Sequence, residues 1–169
     1  PGSGPVVFVT GAAGGLGRVL VSRLHFRGHR VIATDVALAD LPCAGPACAG
    51  PVTAMQLDVT DSAAVEACIS RTLEQFGRID HVVHLAGRAG RGPLGEVSAA
   101  DWDALLSVNL GSAFRVARAA HDALAVSRGS LVLTASSNAF NGGSALSGPA
   151  YAAAKAGIVN LGRYLAAEW

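Results

Sequence analysis

Tyr151 and Lys155 stand four residues apart in the run Tyr151-Ala152-Ala153-Ala154-Lys155. On a helix, positions i and i+4 share one face. An ammonium beside a phenol favours the phenolate and draws its pKa down from about 10 toward neutrality. Such a tyrosine can serve as general acid and base for a carbonyl–alcohol pair. The small alanines between the two leave room for a ligand. The spacing alone also fits a polar helix surface, so its meaning depends on the rest of the chain.

A second set of residues sits near the start. The apolar run Val6–Thr10 leads into Gly11-Ala12-Ala13-Gly14-Gly15-Leu16-Gly17 and then a helical pattern. A strand, a glycine turn and a helix N-terminus together make a pyrophosphate site, because unpaired N–H groups and the helix dipole favour an anion. Gly11 would permit the tight turn, Gly15 the approach of phosphate, and Gly17 close packing of helix on strand. The bland alternative is a packing turn. No Gly-Lys-Ser/Thr follows, which excludes a Walker-type loop. Asp35 closes the next apolar run, eighteen residues after Gly17. A carboxylate there can accept hydrogen bonds from an adenosine ribose and repel a 2′-phosphate, which predicts NAD over NADP. Asp58, in Leu57-Asp58-Val59-Thr60-Asp61, could meet an adenine amino group or cap the helix near Ser62.

Alternating elements would position these groups. Apolar runs at Val6–Thr10, Arg30–Thr34, Ala54–Leu57, Ile79–Leu85 and Leu131–Thr134 read as strands. Arg18–Phe26 and Ser62–Phe76 have helical spacing, the second with Gly77 as a C-cap. Ser98 would cap a helix from Ala99 past Asn109 to Ala125, with Gly111 a weak point. Arg88–Gly95 and Asn138–Pro149 read as loops, and a last helix runs from Tyr151 to the end. Such alternation requires right-handed crossovers and gives a parallel sheet covered on both faces.

Composition agrees. The chain has 169 residues, 51% hydrophobic and 15% charged, which supports one domain with a buried core and excludes a disordered spacer. A net charge of +1 with no basic run gives no footprint for nucleic acid. The longest uncharged stretch, Gly129–Ala154, is broken by Ser, Asn, Gly and Pro and cannot be a membrane helix. The lead-in Pro1-Gly2-Ser3-Gly4 has no leader character. Cys43, Cys48 and Cys68 are an odd set without zinc spacing, which points to free thiols in the cytoplasm.

Jointly these segments resemble the short-chain dehydrogenase/reductase family. The resemblance is carried by Thr10–Gly17, Leu57-Asp58-Val59, Ala86-Gly87, Asp101-Trp102, Val108-Asn109-Leu110, Gly129–Ser137 and Tyr151-x-x-x-Lys155, in the family's order across the whole chain. It implies an α/β fold of Rossmann type, a doubly wound parallel sheet of five strands with flanking helices. It also implies NAD-dependent hydride transfer between a secondary alcohol and a ketone. Tyr151 would be the acid/base, Lys155 would hold the nicotinamide ribose, and Asn109 would bind a relay water through a local break in its helix. Ser136 or Ser137 would bond the substrate oxygen, and strand register favours Ser136. Gly11, Gly15, Leu16, Gly17, Asp35, Asp58, Val59, Ala86 and Gly87 would line the cofactor with Tyr151 and Lys155. A small-molecule substrate and a homodimer or homotetramer complete the expectation.

Three features depart from the family pattern. His84-Leu85-Ala86-Gly87 replaces the usual Asn-Asn-Ala-Gly and resembles the family's extended branch of sugar-nucleotide epimerases and dehydratases. His84 itself reads as a strand-end residue. The glycines fit either branch, through Gly14 or through Gly15. The chain also stops at Trp169, before the last strands and substrate lid of the family, so residues 1–169 are expected to be a dinucleotide-binding domain truncated at its C-terminus. A non-catalytic NAD-binding module is the reading from a different class.

Overall fold

A computed structural model describes residues 4–37 and 52–169. Cys43 and Cys48 lie outside the described residues. The strands are β1 (Val6–Thr10), β2 (Arg30–Asp35), β3 (Val52–Gln56), β4 (His81–His84) and β5 (Ser130–Leu133). They form one five-stranded sheet in the order β3-β2-β1-β4-β5, parallel at every pairing. The helices are α1 (Gly15–Phe26), α2 (Ser62–Phe76), α3 (Ala99–Leu106), α4 (Ser112–Ser127), α5 (Asn138–Asn141) and α6 (Pro149–Glu168). This is the doubly wound α/β architecture that the alternation predicts.

β1 is buried along its whole length, as the central strand of a sheet covered on both faces must be. Its alternate residues feed two cores. Val6 and Phe8 join Ile32, Val65, Ile69 and Val116 beneath α2 and α4, while Val7 and Val9 join Val31, Ala33 and Val21 of α1. Asp80 fixes the start of β1, since its Oδ2 accepts the Val6 N–H at 2.8 Å and its carboxylate is clamped by Arg78.

The caps follow local chemistry. Gly77 sits at φ 73° after α2, and Ser98 Oγ accepts the Asp101 N–H at 3.0 Å before α3, both as expected. The α2 N-cap is Asp61, whose Oδ1 accepts the Ala63 and Ala64 amides. The capping role considered for Asp58 is therefore corrected. Asp58 instead closes its own turn, accepting the Thr60 amide and hydroxyl at 2.8 and 2.7 Å, and these bonds hold its carboxyl below the ordinary range. Two further corrections concern glycine-rich segments. α1 starts at Gly15 rather than Arg18, because Gly14 serves as the N-cap. The stretch Asn138–Pro149, expected to be all loop, holds the one-turn α5, which is too short to show a period.

The expected break in the Asn109 helix is present. Residues Ser107–Gly111 form a π turn between α3 and α4, and the Ser112 amide bonds back to Ser107 O. A single wide turn of this kind shifts every following side chain round the helix and is characteristic of functional sites.

Candidate active site at the C-terminal ends of β1 and β4

The chain leaves β1 toward β2 on one side and returns to β4 on the other. Ligands of open α/β sheets bind at such a switch point, beyond the carboxyl ends of the strands. A cleft of about 290 Å³ opens there, lined by the Gly11 turn, the ends of β2 and β3, and Leu85-Ala86-Gly87. Among the sequence-predicted cofactor residues, Gly11, Asp35, Asp58, Val59, Ala86 and Gly87 line it.

Each glycine has its own reason. Gly11 has φ 68°, and a Cβ there would fall 2.7 Å from the Ala86 nitrogen. A Cβ on Gly17 would fall 2.2 Å from Gly11 O, so Gly17 lets α1 lie against the turn. Gly15 has nothing within 4 Å of a built Cβ, at the N-terminus of α1, where an anion would be welcome. Leu16 is largely exposed beside it. Asp35 accepts the Ala13 and Ala37 amides at 3.0 and 3.3 Å, which holds its carboxylate at the cleft rim with lone pairs to spare. The turn is thus a preformed anion cradle with an acid at its edge, and a dinucleotide fits it.

The second half of the site lies on α6. Pro149 begins the helix after Gly148, whose φ is 72°, and so places Tyr151 in its first turn. Lys155 is 4% exposed, and its Nζ donates to Thr134 O at 2.7 Å. That ammonium sits 5.5 Å from the Tyr151 ring centroid. Burial lowers the Lys155 pKa. Asn109 is fully buried, and its Nδ2 donates to Arg88 O and Leu105 O at 2.9 and 3.0 Å. Its Oδ1 has no partner. A Cβ on Gly87 would lie 2.7 Å from that oxygen and 3.7 Å from Lys155 Nζ, so an orphan acceptor and a buried cation converge beside Gly87. Buried acceptors in native proteins are nearly always paired, with protein groups or with ordered water.

β5 ends at Leu133, so the register that favours Ser136 is read beyond the strand. Ser136 is half-buried and its Oγ accepts the Asn138 N–H at 3.3 Å, whereas Ser137 is exposed. The loops that follow β4 and precede α6 are zipped together by Gly90 N–H to Ser147 O and Gly92 N–H to Ala145 O.

Several contributors escaped the sequence reading. Thr134 supports Lys155 through a main-chain carbonyl, which every residue possesses, so no sequence signal marks it. His84, expected only to end its strand, does so, but it is buried and bonded at both ring nitrogens, to Thr10 Oγ1 at 2.7 Å and Ser112 Oγ at 2.9 Å. Its replacement of a family asparagine was the available signal. Among the described residues no cluster of His, Cys, Asp and Glu could hold a metal ion, and no helix is long and apolar enough to cross a membrane.

His84 makes stability depend on pH. Burial, with a smaller push from Lys155, lowers its pKa from 6.5 to about 4. The unfolded chain then takes up a proton near 6.5 that the folded chain refuses until about 4. The contribution is complete above 6.5 and lost as pH falls toward 4, amounting to about 3 kcal/mol. Asp58 and Asp80 are lowered below 3.8, so their contributions disappear only at still lower pH. Urea unfolding at pH 7 and pH 4.5 should show the loss, and His84→Asn should remove most of it. An equal loss in that variant would contradict the assignment.

A family model described as enoyl-(acyl carrier protein) reductase matches residues 11–169. D-threitol dehydrogenase of Mycolicibacterium smegmatis is 34% identical over 98% of this chain and 65% of its own length. A 3-oxoacyl-(acyl-carrier-protein) reductase of Escherichia coli is 31% identical over 98% of this chain and 67% of its own. The chain thus spans about two thirds of the length of these relatives. A solved short-chain dehydrogenase from Mycobacterium smegmatis superposes with a TM-score of 0.88 at 36% identity, covering 98% of this chain and 70% of that one. The glycine cradle, the π-turn asparagine and the Tyr–Lys helix lie within the matched span, and the chain belongs to the short-chain dehydrogenase/reductase family.

Proposed function

We propose that this chain carries the dinucleotide-binding and proton-transfer parts of an NAD-dependent oxidoreductase that interconverts a secondary alcohol and a ketone. The observation that carries the reading is the convergence of the buried Lys155 ammonium and the unpaired Asn109 oxygen on Gly87, at the wall of the cleft. The bound dinucleotide supplies the hydride acceptor or donor. Gly11 and Gly15, with Leu16 beside them, would face its pyrophosphate while Gly17 lets α1 close on the turn; Asp35 would face its adenosine ribose, and Asp58 and Val59 its adenine. Ala86, Gly87 and Lys155 would face the nicotinamide half.

Tyr151 accepts the alcohol proton in oxidation and returns it in reduction. The Lys155 ammonium lies 5.5 Å from the Tyr151 ring centroid, and Tyr151 stands in the first turn of α6. Lys155 is held for this by Thr134 O. Asn109 Oδ1 accepts from a water or hydroxyl that passes the proton on, and Ser136 donates to the substrate oxygen. The reading places the protein in the cytoplasm as a homodimer or homotetramer, with residues 1–169 as its dinucleotide-binding domain.

Incubating the full-length protein with NAD⁺ and a panel of secondary alcohols tests this, with NADH formation expected. If the chain binds NAD⁺ by calorimetry but no alcohol or ketone is turned over, it is a binding module instead. Asp35→Ala tests the cofactor choice. It should weaken NADH by about tenfold, the loss of one hydrogen bond to a charged group, and bring NADPH closer to NADH. Calorimetric titration with both cofactors reads it, and an unchanged ratio removes Asp35 from the ribose site.

A further inference from the structure

His84 stands where three supports of the site meet. Its ring joins the β1 end to the start of α4 through Thr10 and Ser112, and its carbonyl accepts the Thr134 hydroxyl at 2.9 Å. Thr134 O in turn holds Lys155.

The direction of this chain of bonds is fixed at the Ser112 end. Ser112 Oγ lies 2.6 Å from Val108 O, a pure acceptor, so the single hydroxyl proton is donated there. The Ser112 oxygen must then accept from His84 Nε2. In a neutral ring with its proton on Nε2, Nδ1 is bare and accepts the Thr10 hydroxyl proton at 2.7 Å, while Thr10 Oγ1 also accepts the Ala86 N–H at 3.3 Å. Of the two neutral tautomers, the one with its proton on Nε2 completes the network. Moving that proton to Nδ1 leaves Nε2 and Val108 O competing for one hydroxyl hydrogen.

The Val108 bond matters because of the π turn. In a regular helix the Ser112 amide would bond Val108 O, but here it reaches Ser107 O instead. The Ser112 hydroxyl takes the carbonyl the amide has given up, and His84 holds that hydroxyl in place. We propose that His84 is a positioning residue, which through Ser112 locks the π turn that presents Asn109 and ties it to the Thr10–Gly11 turn. The lowered His84 pKa agrees, since it keeps the ring neutral across the working range. The catalytic consequence rests on the oxidoreductase reading above, whereas the lock itself does not.

Three variants separate this role from simple filling of space. A glutamine carboxamide reaches the Nε2 position and can donate to Ser112, while asparagine reaches only the Nδ1 position and serves Thr10. Amide hydrogen exchange over residues 107–112 of the chain should speed up at least tenfold in His84→Asn and in Ser112→Ala. It should stay within about threefold of the parent in His84→Gln. In the full-length enzyme kcat should follow the same order, falling tenfold or more in the first two, with NADH affinity within about twofold throughout. Imidazole nitrogen-15 shifts of the parent at pH 7 should report a protonated Nε2 and a bare Nδ1. The opposite tautomer, or exchange over 107–112 unchanged in His84→Asn and Ser112→Ala, overturns the proposal. If exchange follows the predicted order but Tyr151→Phe retains full activity, the oxidoreductase reading fails and the lock stands.

Discussion

Tyr151→Phe should lower kcat by roughly 10²–10⁴-fold, the usual worth of a positioned general acid or base. The change removes one oxygen and leaves the ring, which keeps its contact with the Lys155 ammonium at 5.5 Å. Tyr151 is only partly buried, so folding stability should change by no more than about 1 kcal/mol. NADH affinity should stay within a few-fold, because the buried Lys155 keeps its anchor on Thr134 O. The expected signature is therefore a fall in kcat with near-constant melting temperature and cofactor affinity. Calorimetry and initial rates on the same preparation read all three. A loss of less than tenfold in kcat would move the proton-transfer role to another group. A parallel collapse in melting temperature would mean that Tyr151 supports the fold.

What the sequence made legible follows from how local each feature is. α2 shows its period over four turns and carries Gly77 at its end, so it was read with both bounds correct. The parallel sheet follows from strand–helix alternation and handedness, which need no contact map. The Gly11 turn and the Tyr151–Lys155 face are short-range patterns as well. Features set by long-range contact were harder to see. Asp58 and Asp61 are equally good caps on paper, and only the path of the turn decides that Asp61 takes the helix while Asp58 bonds Thr60. The break at Asn109 is expected from resemblance, but the bond on which the proposed lock rests is not, because it joins a serine on α4 to a histidine on β4, 28 positions apart in the chain. Hydrogen bonds to carbonyls, such as Lys155 to Thr134 and Asn109 to Arg88, leave no trace in composition or spacing.

The glycines of the turn offer the clearest separation of folding from ligand binding. Gly17→Ala should be severe, because the new methyl would sit 2.2 Å from Gly11 O and 2.6 Å from the Ala12 Cα. Both obstacles are backbone in a segment held by Ala12 N–H to Thr34 O, so neither can turn aside as a side chain would. The cost should be at least about 3 kcal/mol, the upper end of ordinary overpacking. For a chain of this size that means a melting temperature lower by roughly 6 °C or more. Gly15→Ala should behave in the opposite way. Its Cβ meets nothing within 4 Å, and alanine suits a helix better than glycine by up to about 1 kcal/mol. The melting temperature should hold or rise. Dinucleotide affinity should nevertheless fall by tenfold or more, since the methyl would fill the space through which phosphate approaches the first amides of α1. Scanning calorimetry and NADH titration on the two variants decide the matter. Should Gly15→Ala bind NADH within twofold of the parent, the phosphates would lie instead against Gly14, which lines the cleft and caps α1. The three-residue spacing Gly11-Gly14-Gly17 would then describe the cradle, and the extended-branch pattern would be the better guide to how this turn holds its ligand.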